Sequence, residues 1–159
     1  MRNRIINLGV VAEIAQALGD LNQSVVFVGG AERGFHPDIQ GHAICTYKYN
    51  DIAVDIMAST DSMRGPTNRW YLIGFDSIQK IQIEGVLIQI LSTACYLATK
   101  FEAYNHRGNG DYRTSHDFED IIYIIDNRTT IVEEVRVADK RIRDFLKSEF
   151  KKILNTAYA

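Results

Sequence analysis

The sequence is sparing with proline and cysteine. It has two of each among 159 residues. Cys45 and Cys95 make no disulfide framework, and no CxxC or Cys/His spacing suggests zinc. No apolar run approaches the roughly 20 residues needed to span a bilayer. The N-terminal MRNRIINLGVVAEIAQAL is basic, then apolar. Glu13 and Gln16 interrupt it and no small-residue cleavage site follows, so no signal peptide is expected and a reducing cytoplasm is the expected compartment. A net charge of −2 argues against a generic nucleic-acid coat, though it leaves room for a local basic face. Internal repeats, low-complexity tracts and an obvious linker are also absent. What is present is an ordinary soluble composition, 46% apolar and 24% charged, in a chain long enough to bury a core without disulfides.

Hydrophobic spacing divides the chain. Ile5, Leu8, Val11, Ile14, Ala15, Leu18 and Leu21 recur at three and four, which predicts a helix with one buried face, weakened at Gly19-Asp20. SVVFVGG (24–30) reads as a buried strand ending in two glycines, and 31–41 as loop. AICTYKY and IAVDIMA flank Asn50-Asp51 as one hairpin, and 78–83 and 86–91 flank Glu84-Gly85 as a second. Residues 59–70 are polar and read as loop, with Trp70 and Tyr71 expected to anchor 59–77 onto the sheet.

From residue 92 the pattern is helical. Ser92 caps one helix bearing Leu97, Ala98, Phe101 and Tyr104. After a glycine-rich loop, Thr114 or Ser115 caps the next, whose expected apolar face is Phe118, Ile121, Ile122 and Ile125. Thr130-x-x-Glu133 reads as a capping box. A basic amphipathic helix over 139–156 is expected to bury Ile142, Phe145, Leu146, Phe150, Ile153 and Leu154.

Four groups of residues are candidates for chemistry. Gly29 and Gly30 end a strand where backbone N–H groups can approach a phosphate, or simply terminate that strand. Asp55 interrupts an apolar strand, which calls for a metal, a partner cation or a solvated face. Asp117 and Asp120 share a helix face at three-residue spacing. They suit a metal or a basic partner, but solvated first-turn acids complementing the helix dipole are the simpler reading. Lys100 and Arg107, seven apart, share another face and suit nucleotide phosphates, or else pair with Asp111 or Glu102 as surface cations. No histidine set suggests a metal site, and both cysteines read as small core residues.

In order, VVFVGGA, GFHPD, AICTYKYNDIAVDIMAS, NRWY and YLATKFEAYNHRGNGDYRTSHDFEDIIYIIDNR resemble bacterial nucleotidyltransferase-fold proteins related to the AbiEii-type toxin group. The resemblance runs over nearly the whole chain, and its last stretch is the most specific. It implies an α+β fold, in which a small mixed sheet of the nucleotidyltransferase type (1–91) precedes a helical portion (92–159). It implies Mg²⁺-dependent transfer of a nucleotide from an NTP to an RNA (for example tRNA) or protein hydroxyl. Under it, Gly29 and Gly30 cradle the triphosphate, and Asp55 ligates metal. Lys100 and Arg107 meet phosphates, while Asp117 and Asp120 orient Lys100 or the nucleotide.

One departure stands out. Such relatives carry a D-x-[DE] pair on a strand after the glycines, where it holds two Mg²⁺ ions. Here Ala31-Glu32-Arg33 runs straight into GFHPD, no such pair precedes Asp55, and Asp38-Ile39-Gln40 supplies only the first acid. A helix and a strand are expected to be missing near 31–33. That implies an internal deletion, natural or engineered, or strands that re-pair directly or by swapping in a homodimer. One metal carboxylate in place of three implies weak or no activity. The alternative is a non-catalytic, antitoxin-like module that binds a cognate partner, and a third reading is RNA binding through the basic face of 139–152.

Overall fold

The computed structural model describes residues 8–28, 46–50, 52–56, 68–108 and 112–157. Gly29, Gly30, Asp38, Cys45, Asp111 and the expected loops at 31–41 and 59–67 lie outside them. The described chain is α+β. It falls into two compact units: one joins residues up to 56 with Ile78–Leu91, the other joins Asn68–Ser77 with the residues from Ser92 onward.

In the first unit, helix α1 (Leu8–Leu18) buries Val10, Val11, Ala12, Ile14 and Ala15. That is more than the single face its spacing predicts, because two hairpins flank it. Val11, Ala12 and Ala15 pack on Ile83 and Ile88. Val10 and Ile14 pack on Ile52. Leu8 and Leu21, expected on the buried face, are exposed instead. Gly19, at φ +53°, takes the left-handed conformation that ends the helix, and a 3₁₀ turn continues to Ser24.

Strands β1 (Thr46–Tyr49) and β2 (Ile52–Asp55) pair antiparallel, with Thr46 opposite Asp55 and Tyr49 opposite Ile52. Asn50 at the turn has φ +52°. Strands β3 (Gln79–Ile83) and β4 (Val86–Ile90) form the second hairpin, Ile83 opposite Val86. Its turn residues Glu84 and Gly85 have φ +47° and +81°, the two positive values of a type I′ turn matched to strand twist. The strand expected at 24–30 is reduced, within the described residues, to a parallel bridge between Phe27 and Ile90. Gln89 fastens it, its side-chain amide donating to the carbonyls of Gln23 (2.8 Å) and Val25 (3.2 Å).

The second unit is helical: α2 (Trp70–Phe75), α3 (Thr93–Arg107), α4 (His116–Asn127), α5 (Ile131–Val137) and α6 (Lys140–Ala157). Helix α3 is its centre and touches the other four. Cys95, Leu97, Ala98 and Phe101 of α3, Ile121 of α4, and Ile142 and Leu146 of α6 are each at most 1% exposed, and α3 packs on both of the other helices. Each large side chain so enclosed stabilises by about 1.5–3 kcal/mol. Trp70, expected in a loop, lies in the helical unit. It opens α2, its ring centre 4.7 Å from that of Phe145 on α6, and its carbonyl accepts from the Cys95 thiol.

Caps follow the sequence at two of three places. Ser92 Oγ accepts from Cys95 N–H at 3.4 Å and Ser115 Oγ from Phe118 N–H at 3.3 Å. Thr130 makes no capping bond; its hydroxyl donates to Glu134, which also takes Arg128. Leu154, expected inside, is 55% exposed, while Glu149 is buried and accepts from Asn105 and Lys152.

Candidate functional site

The helical unit gathers four charged residues from α3 and α4. Two helical turns separate Lys100 from Arg107 and leave them on one face of α3. The Ser115 cap fixes where α4 begins, and so places Asp117 in its first turn and Asp120 one turn on, both toward α3. Lys100 Nζ lies 2.6 Å from Asp120 Oδ2 and 3.2 Å from Asp117 Oδ1. Arg107 grips the same Asp117 with two parallel bonds, Nε to Oδ2 at 2.7 Å and Nη2 to Oδ1 at 2.9 Å. Such a fork fixes orientation as well as distance.

The solvated-acid reading of Asp117 is therefore corrected. The residue is 4% exposed and its carboxylate accepts three hydrogen bonds from charged donors. Neither cation takes Glu102, which Arg69 and His106 occupy instead. Burial alone raises the Asp117 pKa, but the bonds from Arg107 and Lys100 outweigh it and hold the carboxyl below its ordinary value. Burial lowers the Lys100 pKa, yet the Asp120 bond and the neighbouring charges leave it above the ordinary value, so the ammonium stays protonated.

Two tyrosines complete the setting, and sequence reasoning did not single them out as site residues. Tyr96, one turn before Lys100 on α3, places its ring centre 5.5 Å from Nζ. Its (i, i+4) spacing was the available signal. Burial raises the phenol of Tyr71 on α2, opposed by Lys100 and Arg107. Beside the cluster, Arg107, Gly108, Thr114, Ser115, His116 and Asp117 line an open pocket of about 260 Å³. Arg107 has a 71% exposed side chain, and its Nη1 makes no hydrogen bond among the described residues.

No family model, curated protein or solved structure matches this chain. The site therefore has to be read from its own chemistry. Two cations and two carboxylates balance in charge, and the acids hold the cations in place. Asp55 is an exposed residue at the end of β2 in the first unit, and Gly29 and Gly30 lie outside the described residues.

The described residues do not make a two-magnesium site. Asp117 and Asp120 direct their oxygens to Lys100 and Arg107, and no group of three or more metal-ligating side chains converges among the described residues. At the start of α6, Lys140 and Arg141 pair with Asp144 and Asp139 as a solvated charged face does, while Lys152 pairs with the buried Glu149. Cys95 is enclosed, and burial pushes its thiol up to about 12, which suits an inert core residue. No described helix is long and apolar enough to cross a membrane.

Proposed function

We propose that this chain is a nucleotide-binding protein of the nucleotidyltransferase type, in which the helical unit meets the phosphates of an NTP. The observation that supports the reading is the convergence of Lys100 and Arg107 on Asp117. The resemblance in YLATKFEAYNHRGNGDYRTSHDFEDIIYIIDNR assigns the nucleotide to these residues, and they come together across two helices. Asp117 and Asp120 keep Lys100 charged and aimed, and Asp117 holds one edge of the Arg107 guanidinium so that its outer edge faces solvent and the pocket. A phosphate oxygen there gains a charge-assisted bond without a new side-chain ordering cost.

Transfer itself is proposed to be weak or absent, because the chain offers Asp55 without a D-x-[DE] pair. The test is equilibrium binding of labelled NTPs to the full chain, with and without Mg²⁺, together with incorporation into tRNA and protein. Binding weakened about ten-fold by Arg107→Ala, the loss of one charged contact, supports the reading. Undetectable binding of all four NTPs refutes it. Incorporation abolished by Asp55→Ala refutes the inactivity. A second reading, a non-catalytic partner-binding module, is favoured by the apolar side chains that α4 leaves in solvent.

A further inference from the structure

Helix α4 has more apolar surface than its own unit covers. Of the four residues on its expected buried face, Ile121 alone is fully enclosed. Phe118 packs at a tilt against Tyr104 and Tyr112, while Ile122 and Ile125 remain 41% and 38% exposed. Phe118, Ile122 and Ile125 are spaced i, i+4, i+7, which makes them one row along the helix. The neighbouring row, Glu119, Tyr123 and Asp126, repeats that spacing, with Tyr123 65% exposed. An apolar row thus runs for about 10 Å beside a row that carries an acid at each end, Glu119 and Asp126.

We infer that this face of α4 docks a cationic amphipathic helix of another protein. The inference rests on the partner-binding reading and is independent of nucleotide binding. Apolar anchors at i, i+4 and i+7 are what a helix needs from a helical partner. The acidic row selects lysine or arginine beside those anchors, and it repels nucleic acid and anionic membrane. A second copy of this chain offers no such helix from its described residues. Its cationic helix is α6, whose Ile142 and Leu146 are already enclosed, and the apolar α1 carries no basic residue.

The probe is a synthetic helical peptide with leucines at i, i+4 and i+7 and lysines in the adjoining row. Its twin carries glutamates in place of the lysines. Anisotropy with the full chain is expected to show the lysine peptide binding at least about ten-fold tighter than the twin. Ile122→Glu abolishes that binding, and the double change Glu119→Lys, Asp126→Lys reverses the preference. Both variants should keep the native fold by circular dichroism with Tm lowered by no more than a few degrees, since Ile122 is already 41% exposed and Glu119→Lys loses only a surface first-turn charge. Equal binding of the two peptides, or binding of neither, overturns the inference. So does a dimer in sedimentation that Ile122→Glu dissociates, which would assign the face to a second copy. NTP binding by the same variants stays at the parent level, which keeps this test apart from that of the nucleotide site.

Discussion

Replacing Asp117 by alanine removes the carboxylate on which Lys100 and Arg107 both depend. Removing one partner of a fully buried ion pair costs about 3–5 kcal/mol, because the other charge stays buried alone. Here the orphaned cations are not fully buried. The Arg107 side chain is 71% exposed and rehydrates, and Lys100 keeps Asp120 at 2.6 Å. The cost is then the lost charged hydrogen bonds net of resolvation, about 2–3 kcal/mol. For a chain of this length that lowers Tm by about 5–10 °C. Asp117→Asn preserves shape and one acceptor, and should cost about half as much. The pH dependence carries the sharper test. The Asp117 pKa is depressed in the folded chain, so its stabilisation is complete above the unfolded carboxylate value of about 4 and fades as pH falls through the folded value. Urea unfolding of parent and Asp117→Asn should show a gap that is constant from pH 7 to 5 and closes toward pH 3. A gap under about 0.5 kcal/mol at pH 7, or one unchanged at pH 3, refutes the argument.

Three further outcomes follow from local geometry. Gly85→Ala should cost about 1 kcal/mol by calorimetry, entirely from φ +81°, since nothing lies within 4 Å of the added carbon. Ser115→Ala removes the α4 cap at a buried position and should cost about 1–2 kcal/mol, while Ser115→Asp should recover most of it. In a Cys45→Ser background, Cys95 should resist a thiol reagent until denaturant opens the core, and rapid labelling of the native chain would contradict its enclosure.

What the sequence made legible was mostly short-range. The Glu84-Gly85 turn and the Ser92 and Ser115 caps each depend on two to four neighbouring residues, so spacing sufficed to place them. The four charged residues were found individually, and Lys100 and Arg107 were placed on one face. Whether Asp117 was solvated or locked depended on α3 lying beside α4, which periodicity along one helix does not encode. The same blindness covers Trp70. Its partner Phe145 belongs to a helix far along the chain, and a polar stretch before it made a loop the natural reading. Thr130 shows the opposite failure. The capping-box pattern is present, yet Glu134 engages its hydroxyl more favourably than the backbone does. Leu154 and Ile122 fit their helices' apolar rows but extend past the surface that the neighbouring helices supply.

The discontinuity of the helical unit bears on how the protein is made. Residues 68–77 belong with the helices, but the β3–β4 hairpin of the other unit is synthesised between them and α3. Trp70 leaves the ribosome about 75 residues before Phe145, so at about 5–20 residues per second it waits roughly 4–15 s for the ring it packs against. During that interval a large aromatic side chain stands without the part of its native cover that α6 supplies. A nascent chain arrested between these two residues should therefore be a better chaperone substrate than one arrested after α6.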